Sequence, residues 1–382
     1  ILNSLDELND FGTEENHEIE FGLSNFTYNL YANDIEQPTN EMVENFLTEI
    51  MEKLKEKCSY LKDIQIIFRS KLQEVFIINN LGNFVRDYRT FFLIRITVLA
   101  SKNSNSNTFF KSLVSRFSFE DLSKRIDSSI EELLKMIEIM IDAKDSIKGS
   151  LPVLFGAGNP GVLIHEAVGH SLEADFHRLE TSVFSGMIDK VIASKGVNII
   201  DDGSIPSMNG SIHFDDEGVQ TKRNILVENG ILKTPILDRK NAFLMKRKST
   251  GNGRQQNYKT PVIPRMTNTF LEPYNESYAS SFEDMCSVFN KFLFVKSVSH
   301  GAVDISSGNF SFTADSSFLV ENGNHTPLKE AVFSGRGADV MTNIVKIGKN
   351  LDLTPGTCGK NGSWVPVTSG QTDVLVSEIT TG

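Results

Sequence analysis

Cysteine is scarce in this chain. Cys58, Cys286 and Cys358 are the only three in 382 residues, and they lie far apart. A small, odd number excludes a disulfide scaffold and makes a reducing compartment, the cytoplasm, the expectation. Positive charge is in deficit too. Thirty-eight Lys and Arg stand against 49 Asp and Glu, a formal charge of −11. That excludes a protein that coats nucleic acid, so no direct nucleic-acid partner is expected, although a local basic groove stays compatible with the balance. Long apolar runs are missing. The run 91–100 is interrupted by Arg95, and nothing approaches the roughly 18–20 apolar residues of a membrane helix. The opening Ile1-Leu2-Asn3-Ser4-Leu5-Asp6-Glu7 is too acidic for a signal peptide and has no initiator methionine. A processed or partial chain is therefore expected.

What is present is ordinary for a soluble globular protein: 40% hydrophobic and 23% charged residues. The length suggests two domains. The first forty residues are polar, with weak strand signals at 18–30. Val43, Phe46, Leu47, Ile50, Met51 and Leu54 then form one apolar helical face over 41–57. Strand-like runs follow at 64–68, 74–79 and 91–99, with Asn79-Asn80-Leu81-Gly82-Asn83 as a turn and 101–108 as an exposed Ser/Asn-rich loop. Phe119, Leu122, Ile126, Ile130, Leu133, Ile137 and Ile141 mark a second helix, which should stop near Lys148-Gly149. Beyond it comes a short strand at 153–155 and a Gly-rich turn. A helix over 162–174 should follow, with Asn159 as N-cap and Pro160 in its first turn. The rest is short apolar runs between turns. Val227-Glu228-Asn229-Gly230 and Val320-Glu321-Asn322-Gly323 predict two Asn-Gly hairpins. Short helices are expected at 281–292 and 337–345. The fold class is therefore α+β. An N-terminal mixed α/β layer domain, 1–148, precedes a largely antiparallel β domain, 149–382, which carries the 162–174 helix at its start.

That helix holds His165-Glu166-Ala167-Val168-Gly169-His170, an H-E-x-x-x-H sequence. In the common zinc-protease motif the histidines are four apart and share one helical face. Five apart, they diverge by roughly 140° around a regular helix. They can meet one metal only if the helix ends or bulges near Gly169. Two histidines and a glutamate can equally be ordinary polar residues. A third ligand would be needed. Cys358, in the Gly-flanked Thr357-Cys358-Gly359-Lys360, reads equally as that ligand and as a buried thiol. Cys58 and Cys286 fall in helical patterns and read as small buried hydrophobes.

Several stretches now accumulate in one order: HEAVGHSLEAD at 165–175, TSVFSG at 181–186, DDEG at 215–218 and TGNGR at 250–254. PRMTNT at 264–269, VDISSG at 303–308 and CGK at 358–360 complete the series. With these the chain resembles the TldD/PmbA family of zinc metallopeptidases, on its TldD side, across about 150–380. The N-terminal part is similar only in its pattern of elements, and the family carries more residues ahead of the metal helix. The resemblance implies His165, His170 and Cys358 as ligands of one Zn²⁺ per chain and Glu166 as the catalytic glutamate. Such a set leaves a fourth zinc position to water, whose pKa falls toward neutrality; Glu166 would take its proton and return it to the leaving amine. Ser171 and Ala174 stand where the family has Gly.

The resemblance further implies small or unfolded peptides, bound extended along a strand edge, as substrates. It also implies a hetero-oligomer with a PmbA/TldE-type subunit that lacks the metal. A reading from another class is a non-catalytic interaction module, linked to DNA gyrase or toxin–antitoxin modulation, whose metal site is structural or vacant. Arg254, Arg265 and Asn268 lie in Gly/Pro-flanked loops and are candidates to bind peptide carbonyls or a carboxylate, or else surface turns. His177 is expected at the surface, His213 and His300 in β-type contexts without a metal-ligand spacing to another residue, and Asp215-Asp216-Glu217 in a solvated turn.

Overall fold

The computed structural model describes residues 24–28, 36–79, 83–103 and 105–382. Helix α1, Asn40–Lys57, starts where the Thr39 hydroxyl accepts the Met42 N–H, and it buries Phe46, Ile50 and Leu54. Helix α2, Phe119–Met140, starts at Ser118, whose hydroxyl accepts the Asp121 N–H, and buries Leu122, Ile126, Ile130, Leu133 and Ile137. Both pack on a four-stranded sheet of β1 (Ser24–Tyr28), β2 (Leu61–Ile78), β3 (Asn83–Lys102) and β4 (Asn105–Ser115). Strand β3 is central. β2 pairs with it along its whole length, whereas β1 and β4 share its other edge. Phe92, Ile94, Ile96, Val98 and Ala100 take alternate positions on β3 and all face the helices.

Three expectations shift here. The strands at 64–68 and 74–79 are one continuous strand, because the polar stretch between them stays paired to β3 from Arg69↔Leu93 to Gln73↔Arg89. Residues 101–108 are not a loop. Strands β3 and β4 run through them to a tight turn at Asn103, whose φ is 55°. Helix α2 ends at Met140 and not at 148, since Lys144 leaves to bridge Leu328. Of the strand signals at 18–30, Ser24–Tyr28 is a strand. The rest of that stretch, and the turn residues Asn80, Leu81 and Gly82, lie outside the described residues.

The C-terminal part is built from two large sheets and a two-stranded ribbon, Gly253–Arg254 with Ile263–Pro264. In the larger, five strands close into a ring: Gly149–Phe155, Lys291–Val303, Asn309–Glu321, Ala331–Arg336 and Val374–Thr381. Each pairs with the next and the last with the first. The smaller runs in the order Asp352–Lys360, Ser363–Gln371, Asn268–Pro273, Val197–Asp202, Arg223–Glu228, Ile231–Leu232. Most pairings are antiparallel. Both Asn-Gly hairpins form, with φ of 51° and 82° at Asn229 and Gly230 and of 51° and 78° at Asn322 and Gly323, the two left-handed positions of a type I′ turn. The short helices are Phe282–Cys286 and Gly337–Thr342. The first stops early because Lys291 already begins a strand. Leu163, Ile164, Ala167, Val168 and Leu172 sit in the main core of this part, so the histidine-bearing helix is a buried element.

Candidate metal centre

The turn ahead of that helix departs from the expected cap. Gly158, at φ 83°, occupies the cap position, while the Asn159 side-chain Oδ1 accepts the Val298 N–H and ties the turn to a neighbouring strand. Pro160 lies in the first turn. Regular helix covers only Val162–Ile164. His165–Gly169 is a π turn, closed by the His170 N–H donating to the His165 carbonyl five residues back. A 3₁₀ turn, His170–Leu172, follows, and Glu173 leaves it with ψ of 131°. One extra residue in the turn brings positions i and i+5 onto one face. The two imidazoles consequently stand 5.1 Å apart, edge to face. Gly169 is required for packing. A Cβ there would lie 2.1 Å from the Met266 sulfur, so any larger residue would have to displace the Met266 side chain.

The third group arrives from the opposite end of the chain. In Asp352–Lys360 the side chains alternate, and Cys358 and Lys360 face inward while Thr357 and Gly359 face out. The Cys358 sulfur lies 3.2 Å from His170 Nε2, and one ligand atom from each of His165, His170 and Cys358 falls within 4.8 Å of the others. All three residues are buried. Burial alone would push the Cys358 thiol up, but His165 and His170 outweigh it and bring its pKa down to about 5. Burial opposes the charge on His170 as well. Glu173 and Cys358 override it and hold His170 well above the ordinary imidazole range.

These features fit a zinc-class metal. The set is two imidazoles and a thiol already biased to thiolate. His165 Nδ1 is buried with no hydrogen-bond partner, and such a group is costly to leave unmatched. His170 is oriented as a metal ligand is: its Nδ1 lies 3.0 Å from Glu173 Oε2, leaving Nε2 toward Cys358. Glu173 is itself held by Lys360 at 3.0 Å, and Lys360 also reaches Asp175 at 2.8 Å and covers the Phe176 ring. Sequence reasoning assigned no role to Glu173 or Lys360. Their spacing, three residues after His170 and two after Cys358, was the available signal. Glu166 is partly exposed, with Oε2 3.9 Å from His170 Nε2.

Other candidates end elsewhere. Arg265 and Asn268 have no exposed surface, which corrects the expectation that they meet substrate or form surface turns. Arg265 donates to the main-chain carbonyls of Cys358 (2.6 Å) and Ser363 (3.2 Å); Asn268 donates to the Asp202 carbonyl and the Ser211 hydroxyl. Both brace the loops behind the centre. Alongside them, buried Asp201 accepts from Asn252, Thr267 and Thr269. Arg254 is buried too, donating to the Met266 and Pro366 carbonyls, but it also lines a cavity. His177 is buried instead of exposed, beside the Ser171 main chain. Nor is the acidic cluster a solvated turn. Asp215 is buried and accepts the Glu217, Val219 and Gly253 N–H groups, and burial pushes its pKa up to about 7 despite them; Asp216 pairs with Arg89. Ser171 and Ala174 are fully buried small residues.

Comparison with known proteins places both parts of the chain in one family. Residues 148–382 match the PmbA/TldA metallopeptidase C-terminal domain, and residues 36–153 match the PmbA/TldA metallopeptidase central domain. A protein of Buchnera aphidicola subsp. Acyrthosiphon pisum named metalloprotease TldD homolog is 38% identical over 321 residues, 81% of this chain and 66% of its own length. A zinc metalloprotease TldD homolog of Saccharolobus solfataricus is 30% identical over 262 residues, 67% of this chain and 57% of its own. This chain thus spans just under two thirds of the length of the first of these relatives and less of the second. Among solved structures, TldE from Thermococcus kodakarensis has the same fold, with a TM-score of 0.71 at 19% identity over 91% of this chain and 75% of that one.

Proposed function

This chain belongs to the PmbA/TldA metallopeptidase family, and on that premise we propose that it is a zinc-dependent peptidase acting on small or unfolded peptides. The observation that carries the reading is the meeting of His165, His170 and Cys358 on the π turn, with Glu166 beside them and partly open to solvent. His165, His170 and Cys358 would hold one zinc per chain. Zinc, when bound, supplies Lewis-acid polarisation of a scissile carbonyl and acidifies water. Glu166 accepts the proton of the attacking water and delivers it to the leaving amine. Glu173 and Lys360 fix the His170 ring so that Nδ1 stays engaged and Nε2 stays available. Met266 and the buried helix face keep bulk water from the back of the centre.

The full machine in this reading pairs the chain with a TldE-type subunit; the shared fold with the Thermococcus TldE supports it. Among the described residues no helix is long and apolar enough to cross a membrane.

Elemental analysis of the purified chain tests the centre. About one zinc per chain is expected, lost in both His170→Ala and Cys358→Ala. Glu166→Gln should keep its zinc while peptide hydrolysis, assayed with the partner subunit, falls about 10²–10⁴-fold. A folded chain that takes up no zinc on reconstitution would overturn the reading and leave the interaction module.

A further inference from the structure

The cavity that Arg254 lines, of about 230 Å³, opens on the other side of the Cys358 hairpin, between that hairpin and the N-terminal sheet. It shares the hairpin with the metal centre. Thr357 and Pro366, a paired position, line it, and so does Trp364, paired with Gly359; Cys358 and Val365 are the pair between. The cavity is therefore one residue step from the thiol.

Its charge is one-sided. Lys71, Arg89, Arg116 and Arg254 line it against a single acid, Asp216. Asp216 is already engaged by Arg89 at 2.7 Å, and Arg89 is also held by Asp87 at 3.1 Å. Among the described residues no carboxylate lies within ion-pair reach of Lys71 or Arg254. Arg254 is buried, and its guanidinium meets only the neutral carbonyls of Met266 and Pro366. Uncompensated buried cations are costly. Burial, opposed by Asp216 but reinforced by Arg89 and Arg265, lowers Arg254 to about 10; burial together with Arg89 and Arg116 lowers Lys71. An anion entering the cavity would relieve Arg254 and Lys71. Trp364 and Phe91 add an apolar wall, so the fitting occupant carries a carboxylate on a short organic body, not a bare ion. The volume suits one residue and not a larger ligand.

We propose that this cavity is a carboxylate-binding subsite, taking either the C-terminal carboxylate or an acidic side chain of a peptide engaged at the neighbouring centre. The assignment of the carboxylate to a peptide rests on the peptidase reading above.

Trp364 is the only tryptophan in the chain and is largely exposed, so its fluorescence reports occupancy without turnover. The measurement uses the full chain as Glu166→Gln with four probes: Gly-Gly-Phe, its C-terminal amide, Ac-Gly-Glu-Gly-amide and Ac-Gly-Gln-Gly-amide. Saturable quenching by Gly-Gly-Phe alone assigns the terminal carboxylate, and quenching by the glutamyl peptide alone assigns the side chain. Lys71 is exposed on β2, so Lys71→Glu should stay folded by circular dichroism and weaken the bound probe about tenfold or more. Equal response to all four probes, none up to about 10 mM, or unchanged binding in Lys71→Glu would overturn the proposal. A silent Trp364 in a chain whose native form binds zinc and cleaves a neutral peptide removes the subsite alone. Carboxylate-specific quenching in a chain that neither binds zinc nor cleaves overturns the assignment to a substrate peptide.

Discussion

His177 shows how much one buried ring can set. It is packed beside the centre with Nε2 unmatched, and burial lowers its pKa to about 4, only partly offset by its hydrogen bond to the Ser171 main chain. The folded pKa lies below the ordinary imidazole value near 6.5, so the unfolded chain takes the proton first. Stability contributed by the neutral ring is complete above about pH 6.5 and drains as the pH falls toward 4. The metal-free chain should be about 2 kcal/mol less stable at pH 5 than at pH 7 from this residue. Urea unfolding at both values, with and without His177→Gln, measures it; a variant that keeps the whole pH dependence would refute the assignment. The expectation of a surface histidine rested on its neighbours in sequence, whereas the fold buries the ring beside the Ser171 main chain.

The element that matters most is the π turn at His165–Gly169. A regular helix would aim His165 and His170 apart; the wider turn aims them together. Gly169 permits it by leaving room for Met266. Glycine to alanine in an ordinary helix stabilises by about 0.5–1 kcal/mol. Here the sign should reverse. Gly169→Ala should cost about 1–3 kcal/mol through overpacking against Met266 and lower zinc uptake, read by urea midpoint and metal content together. The need for a distortion near Gly169 was legible from the five-residue spacing, and its place at Gly169 from that residue's size. Its form as a π turn was not, because Met266 lies about a hundred residues further along the chain.

At the scale of the whole molecule, the N-terminal sheet is joined to the C-terminal part by a buried ionic knot. Arg89, on β3, bonds Asp87 and Asp216 and donates to the Phe214 carbonyl at 3.0 Å. Burial opposes the charge on Arg89, but the two acids hold it above its ordinary range. Asp87 moves the other way from a simple ion-pair acid, since burial raises it more than Arg89 lowers it. Arg89→Met leaves two buried carboxylates facing each other across the junction. It should destabilise the chain by about 3–5 kcal/mol, measured by urea unfolding at pH 7, whereas Arg95→Met, on the exposed part of the same strand, should change little. We propose the division of the chain at 148–149 as two folding units; this knot would then be what couples their unfolding.

The amphipathic periods in 41–57 and 119–141 determined two helices and the face each buries, because a helix core face needs only local spacing. The two Asn-Gly turns determined their hairpins for the same reason: a left-handed pair of residues is a local requirement. The four chemical groups His165, Glu166, His170 and Cys358 were likewise visible from residue type and resemblance. Tertiary structure alone decided what those groups meet. It brought Cys358 across the chain to His170, set Glu173 and Lys360 behind the ring, and buried Arg265, Asn268, His177 and Asp215, which sequence had left outside. Burial of a polar residue depends on which distant strands cover it, and no local pattern records that.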